Sequence, residues 1–311
     1  MEQRSDAVTA DDATTAWVEW PTLILAVAIY GSWLAVVLGH RYLAWWAIVP
    51  LLAIIVAWHG SLQHELLHGH PFRSRRANTA LASVPLGVRL SYEVYRRDHL
   101  RHHSDEILTD PRADIESYYM TADSWQRMSG VGRALVMFHQ TLLGRLLIGP
   151  LMADFVVWRD QLREIRAGDR RVALWLARHL LLATILLVFV FAVAGVPVWI
   201  YLLGAVYLGH SLSLVRSYCE HRWVPGDATK SAVVRAGPFF GLLFLHNNIH
   251  HAHHAKPRAA WYTLPALSVS IGSDDAARAG AGFYKGYWRV FARYLVRPFD
   301  HPVHPMERAQ L

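Results

Sequence analysis

The chain has 311 residues, of which 53% are apolar and 12% aromatic, and its formal net charge is +7. No Lys/Arg run is dense enough to indicate nucleic-acid binding, whereas a surplus spread through loops is typical of membrane proteins. The single cysteine, Cys219, excludes an internal disulfide and a cysteine-ligated iron–sulfur or rubredoxin centre within the chain.

Four apolar segments are predicted to span a membrane, since each approaches the ~20 residues that a bilayer core requires. They are residues 21–39, 43–59, 172–194 and 196–215. The first 16 residues are polar and lack the basic start of a signal peptide, so the first span is expected to be uncleaved. Very short connectors, residues 40–42 and Gly195, should join the spans into two hairpins.

The rest of the chain is predicted to form a helical cap on one side of the membrane. This cap comprises residues 60–171 and 216–311, and its many arginines indicate the cytoplasmic side. We therefore predict one all-α integral-membrane domain over residues 1–311, in a bacterial inner membrane, with both termini cytoplasmic.

Three apolar stretches of the cap are predicted not to span. Residues 131–158 are interrupted by charges and a Gly-Pro break, and should form one or two helices at the membrane interface. Residues 238–245 are too short to cross. Residues 283–299 interleave aromatic and basic side chains, which indicates an interfacial helix rather than a nucleic-acid platform.

Histidines with metal-ligand spacing follow these spans in four groups. His64 and His68 are four residues apart and share one face of a helix. Two groups have the spacing HxxHH, and His221 follows the fourth span; the members of the HxxHH groups are His99, His102, His103, His250, His253 and His254. Neutral imidazole suits iron, zinc and copper. Because nine nitrogens exceed the capacity of one six-coordinate ion, the sequence predicts two metal ions.

Other polar residues near these groups are candidates for further ligands or for orienting the imidazoles, since a ligating imidazole usually donates its second N–H to a carboxylate or carbonyl. The additional histidines are His70 and His251. The supporting candidates are Glu65, Asp98, Asp105, Asp110, Asp114, Glu220, Asn247 and Asn248. The two asparagines could also hold a metal-bound water. No catalytic side chain is predicted beyond the metal centre.

Two other classes of function compete with this interpretation. The motif His64-Glu65-Leu66-Leu67-His68 is also the HExxH signature of zinc proteases, with Glu65 as general base, but it leaves the other histidine groups unexplained. A metal transporter or store would need polar residues inside the spans, where His179 and His210 are the notable ones.

The segments HELLHGH, DHLRHH and NNIHHAHH, the last followed by Trp261-Tyr262 and Leu264-Pro265, resemble the integral-membrane fatty acid desaturase superfamily over residues 43–265. The resemblance implies a di-iron centre in a cytoplasmic cap, held by the nine histidines above, with His221 as the extra histidine used by related membrane alkane hydroxylases and desaturases. It also implies O2 activation, two external electrons from a ferredoxin- or rubredoxin-type carrier with its reductase, and a fatty-acyl or lipid substrate to be desaturated.

The sequence departs from the superfamily pattern in two respects. The first box is HxxxH followed by His70, where many acyl desaturases have HxxxxH, and no cytochrome b5 or ferredoxin segment is fused to the chain. Hydroxylases and carotenoid ketolases share the superfamily, so a lipid or carotenoid hydroxylase or ketolase is the alternative function.

Overall fold

The computed structural model describes residues 18–104 and 107–311, so the polar N-terminal stretch and Asp105 lie outside the described residues. Within the described part, four helical segments are long and apolar enough to cross a membrane, which confirms the predicted spans. Their bounds are Trp20–Tyr42, Trp45–His68, Arg170–Val193 and Val198–Ser217.

The first hairpin consists of helix α1 (Trp20–Gly39), a 3-10 turn (His40–Tyr42) and helix α2 (Trp45–His68). α2 continues nine residues beyond the predicted end of its span at residue 59, and its last turns carry the first histidine box. It ends at Gly69, whose φ of 111° is a left-handed conformation that glycine adopts without a steric penalty.

The second hairpin begins with helix α9 (Arg170–Val188), whose N-terminus is capped because Asp169 Oδ1 accepts hydrogen bonds from two backbone N–H groups. A π-helical turn (Phe189–Val193) and a short connector lead to α10 (Val198–Tyr201), a second π-helical stretch (Leu202–Leu208) and α11 (Gly209–Ser217). A Cβ at Gly209 would lie 2.9 Å from Val56, so glycine permits α11 to pack closely on α2.

Among the described residues, six α-helices form the part of the cap between the hairpins. They are α3 (Arg75–Ala82), α4 (Tyr92–His102), α5 (Ala122–Gln126), α6 (Gly130–His139), α7 (Leu142–Leu147) and α8 (Gly149–Arg166). The prediction of one or two helices over residues 131–158 is wrong in number. Thr141 caps α7 by accepting a hydrogen bond from Gly144 N at 2.9 Å, and Pro150 lies in the first turn of α8, so the stretch divides into three.

The C-terminal part of the cap contains two short strands, five α-helices and two 3-10 helices, Trp261–Thr263 and Pro305–Gln310. The strands and α-helices are β1 (Val233–Val234), α12 (Pro238–Leu243), α13 (His250–Ala255), α14 (Leu264–Ser270), α15 (Ser273–Ala279), β2 (Phe283–Tyr284) and α16 (Tyr287–Tyr294). The helix predicted over residues 283–299 is wrong at both ends. Residues 283–284 instead pair in parallel with β1, and Gly286, with φ of 97°, separates the strand from α16.

Three apolar cores are present among the described residues, and the smallest packs around the histidine group on α13. One lies among the spanning helices and includes Ile29, Leu52 and Tyr201, each almost fully buried. The second joins the end of α11 to the cap and includes Tyr218 and Tyr287. Because α2 contributes to both of these cores, its C-terminal end is fixed against the cap, and Val215 of α11 packs in the second core.

Candidate metal centre

Four elements carry the predicted histidine ligands. His64 and His68 lie on the last turns of α2. His99 and His102 lie on the last turn of α4, and His103 is its C-terminal cap. The second HxxHH group lies on α13, while His221 follows α11 and is held by backbone pairing with Ser231. All four elements bring their histidines to the same place in the fold.

The nine predicted histidines divide into two groups, within each of which one ring nitrogen per residue lies within 4.8 Å of the others. Cluster A contains His64, His68, His99, His103 and His253. Cluster B contains His102, His221, His250 and His254. The sequence predicted which residues assemble but not how they are divided.

In each cluster the Nε2 atoms converge. In cluster A, His103 Nε2 is 3.0 Å from both His99 Nε2 and His253 Nε2. In cluster B, His221 Nε2 is 2.9 Å from both His102 Nε2 and His250 Nε2. Two nitrogens that each bind one ion at about 2.1 Å lie about 3.0 Å apart at an octahedral angle and about 3.4 Å apart at a tetrahedral one. The observed spacings are close to these values, so the nitrogens of each pair can share one ion.

Several buried ring nitrogens of the clusters lack a hydrogen-bond partner. Both nitrogens of His254, Nε2 of His68 and Nδ1 of His103 are in this state. Buried polar atoms in folded proteins are almost always partnered, and a converging set of neutral imidazoles cannot satisfy one another with one N–H each. The donor set fits two metal ions, with nitrogen ligands only.

Burial keeps most of these imidazoles neutral, as metal ligation requires. Burial, reinforced by repulsion from His99 and His102, lowers the pKa of His103 to about 3. Burial also holds the pKa values of His221, His250, His253 and His254 well below the usual range. His102 is the exception. Burial lowers its pKa, but attraction to Glu116 and Asp114 outweighs this and raises the pKa to about 9.

Two carboxylates hold ligands of the second box by their Nδ1 atoms. Asp114 Oδ1 is 2.8 Å from His102 Nδ1, and Glu116 Oε1 is 2.7 Å from His99 Nδ1. Each bond occupies the Nδ1 of its ring, so the Nε2 of that ring is available to the cluster. Asp114 was a predicted candidate, whereas Glu116 was missed; its position two residues after Asp114 in an irregular segment gave no signal of its own. The other candidate of this segment, Asp110, accepts hydrogen bonds from the backbone N–H groups of Arg112 and Ala113 instead.

Asn247 contacts one ring of each cluster. Its Oδ1 is 3.0 Å from His250 Nδ1, and its Nδ2 is 3.2 Å from His64 Nε2. Asn248, in contrast, donates to the carbonyl oxygen of Val234 at 2.7 Å and fixes β1. Of the two predicted asparagines, only Asn247 contacts the clustered imidazoles.

Two further predicted carboxylates, Glu65 and Glu220, differ in what they contact. Glu65 Oε2 accepts a hydrogen bond from Trp261 N at 3.1 Å, and its Oε1 is 3.9 Å from His64 Nδ1. Glu220 Oε1 accepts from Arg216 at 2.6 Å and is 3.4 Å from His250 Nδ1. Burial raises the pKa of Glu220 to about 7.

Asp98 and the two additional histidines lie outside both clusters. Asp98 pairs with Arg97, at 2.7 Å. His70 Nδ1 contacts the carboxylate of Glu19, and His251 Nδ1 is 2.9 Å from Ser273 Oγ. Among the described residues, neither the Asp98 carboxylate nor the rings of His70 and His251 form a hydrogen bond to a clustered imidazole.

One protein-family model, described as fatty acid desaturase, matches residues 41–287. The match covers most of the chain and includes α2 of the first hairpin, the whole second hairpin and all four histidine groups. No curated protein matches the chain significantly.

Proposed function

Because the chain belongs to the fatty acid desaturase family, we propose that it is an O2-dependent di-iron enzyme that introduces a C=C bond into a fatty-acyl or lipid substrate. Family membership makes it an oxidoreductase that acts on lipid at a membrane. The iron, the use of O2, the desaturation itself and two electrons from an external carrier belong to the proposal.

The observation that carries the proposal is the division of nine imidazoles into groups of five and four. We assign His64, His68, His99, His103 and His253 to one iron, and His102, His221, His250 and His254 to the other. Five and four nitrogens leave positions open on six-coordinate ions, as a catalytic site requires.

Bound iron would supply the activation of O2 and the cleavage of an unactivated C–H bond, which acid–base side chains cannot achieve. The chain's own residues hold the imidazoles. Asp114 and Glu116 accept the Nδ1–H of His102 and His99, and Asn247 accepts that of His250. Each contact fixes the tautomer that leaves Nε2 toward the cluster.

We further propose that residues 1–311 form one domain in a bacterial inner membrane, with the cap and both termini cytoplasmic. An even number of spans returns the chain to the side where it starts, and the arginines of the cap favour the cytoplasm. A site at the ends of the spanning helices suits a substrate that resides in the bilayer.

The zinc-protease alternative finds no support. Its general base would be Glu65, but one oxygen of this carboxylate accepts the backbone N–H of Trp261, and His64 and His68 share their cluster with three further imidazoles. A hydroxylase or ketolase of the same family would use the same ligands, so the product must distinguish these reactions.

Lipidomics of a host that expresses the chain tests the proposal. We expect a lipid with one additional double bond, absent when His103→Ala is expressed at the same level. His251→Ala, whose ring contacts Ser273 outside the clusters, is the control and should retain the product. A product that gains one oxygen atom instead would establish the hydroxylase alternative.

A further inference from the structure

Residues 81–90, which comprise the last two residues of α3 and the irregular segment 83–90, are held by all four spanning segments. Four of their backbone carbonyls accept hydrogen bonds from side chains, one from each span. The pairs are Tyr30 to Leu81 at 2.6 Å, Gln63 to Ala82 at 2.8 Å, Tyr201 to Leu86 at 2.8 Å and His179 to Val88 at 3.3 Å. The segment is therefore anchored among the spanning helices rather than free on the cap surface.

Non-helical backbone within a helical bundle is tolerated where it is buried in protein or lines a cavity. Here the segment lines a cavity of about 60 Å³ between α2 and α11. Val88, on the cavity wall, has a φ of 57°, which is strained for a β-branched residue. Gly60 also lines the cavity. It precedes His64 of cluster A by about one turn of α2, a rise of about 6 Å along the helix axis.

The cavity wall carries polar side chains although it lies between spanning helices. His59 and His210 are only 2% and 3% exposed, and His210 Nδ1 has no hydrogen-bond partner. The nearest carboxylate oxygen of Asp154 is 3.6 Å from it, beyond hydrogen-bond distance. Polar residues inside spans are costly, and they indicate a binding or catalytic role when they face a cavity.

The hydrogen bonds of the wall show which chemistry it can recognise. The single proton of the Tyr30 hydroxyl goes to Leu81 O, so His59 Nε2 must donate to Tyr30 at 3.1 Å and its Nδ1 is left as an acceptor. The charge of Arg89 is balanced by Asp154 at 2.9 Å. The cavity thus offers hydrogen-bonding groups without a net charge, which suits a hydroxyl or carbonyl group and not a phosphate or carboxylate.

We propose that this cavity binds a hydroxyl or carbonyl group carried on the hydrocarbon chain of the substrate, on the membrane side of cluster A. The inference rests on the proposed function in taking the bound lipid as the substrate of the clusters. It assigns an oxygen-bearing lipid chain, rather than a plain saturated one, as the substrate class. A volume of about 60 Å³ accommodates such a group, since one water molecule requires only ~10–15 Å³ by the same measure.

The test is displacement of a fluorescent fatty acid from the purified full chain in lipid nanodiscs. The competitors are stearate and a set of stearates that each carry one mid-chain hydroxyl or keto group at a different carbon. We expect at least one oxygenated stearate to bind about tenfold more tightly than stearate, the effect of one or two net hydrogen bonds.

Two variants locate the preference in this cavity. A Cβ at Gly60 would meet only Ser213 Oγ, at 3.6 Å, so Gly60→Ala fills space without a clash, and His210→Leu removes the imidazole whose Nδ1 has no hydrogen-bond partner. Both should bind stearate as the wild type does and lose the preference for the oxygenated chain. Gly31→Ala on α1, whose Cβ would meet nothing within 4 Å, is the matched control and should keep it.

Equal binding of all competitors by the wild-type protein would overturn the proposal and leave a cavity that holds water only. A preference that persists in both Gly60→Ala and His210→Leu would overturn it as well. If both variants fail to fold, the wild-type comparison still decides. Binding requires no turnover, and iron content is measured on the same samples, so failure here is distinguishable from failure of the di-iron function.

Discussion

His102 and His103 are consecutive residues whose rings belong to different histidine clusters. His102 Nε2 is 2.9 Å from His221 Nε2 in cluster B, whereas His103 Nε2 is 3.0 Å from His253 Nε2 in cluster A. His253 and His254 divide in the same way, and the rings of His103 and His254 stack at 4.3 Å between the clusters. Two short helix ends thus supply ligands to both clusters, so the two sites must assemble together.

The first prediction contrasts His221 with His251. His221 links two imidazoles of cluster B, whereas the ring of His251 contacts Ser273. His221→Ala should lower bound iron and reduce activity by about 100-fold or more, because it removes a ligand. His251→Ala should only weaken activity and keep its iron. Product formation and iron content are measured for both variants. A larger loss in His251→Ala than in His221→Ala would show that the helical register assigned to residues 250–254 is wrong.

The second prediction concerns protons released on metal binding. With a pKa raised to about 9, His102 is protonated at neutral pH, and a metal ion must displace that proton from the ring. Metal binding to the apoprotein should therefore release about one proton from His102 near neutral pH, and the release should fall as the pH rises through the pKa of His102. Calorimetric titration with Fe(II) in buffers of different ionisation enthalpy measures it.

Replacement of Glu116 tests the cause of that shift. Glu116→Gln should reduce the proton release and weaken metal binding by about 10- to 100-fold, because the carboxylate both attracts the proton of His102 and orients His99. Glu164→Gln is the matched control, since Glu164 bonds to Arg97 instead. Equal proton release from the wild type and Glu116→Gln would contradict this account.

The spans and the boxes were predictable because both depend on local patterns. Apolar length predicted four spans, and spacings of three and four residues placed His64 and His68 on one helix face, as α2 shows. The division of His102 and His103 between clusters was not predictable, because it depends on how α4 and α13 approach each other.

Contacts between segments distant in sequence explain the other misses. Glu116 contacts His99 from an irregular loop, and a loop has no periodic pattern from which this contact could be predicted. The helix predicted over residues 283–299 begins late because Phe283 and Tyr284 pair with β1, fifty residues earlier in the chain. Asp98 looked like a partner for an imidazole, but Arg97, its neighbour, bonds to it instead.

The third prediction concerns topology. Reporter fusions after Met120 and at Leu311 should both report the cytoplasm, because four spans return the chain to its starting side. A periplasmic signal at Met120 combined with a cytoplasmic one at Leu311 would mean that a further segment crosses the membrane.

The fourth prediction concerns the electron source. Protein with substrate, O2 and NAD(P)H alone should be inactive, and a ferredoxin- or rubredoxin-type carrier with its reductase should restore turnover, since the sequence carries no cysteine cluster for a redox centre. Sustained turnover without a carrier would contradict this.

The same prediction has a charge component. Arg97 is engaged by Asp98 and Glu164, whereas Arg101 beside the second box is exposed. Arg101→Glu should lower the rate of turnover with an acidic carrier severalfold at low salt. The wild-type rate with the same carrier should fall as the salt concentration rises. Arg41→Glu, on the far connector of the first hairpin, is the control. A carrier-driven rate indifferent to ionic strength would refute the attraction.

The most direct test of the central claim is elemental analysis of the purified, anaerobically handled protein. Groups of five and four imidazoles predict two iron ions per chain. His102→Ala and His103→Ala, which each remove one ligand from a different cluster, should both lower that value. One zinc ion per chain with no iron would contradict the di-iron account.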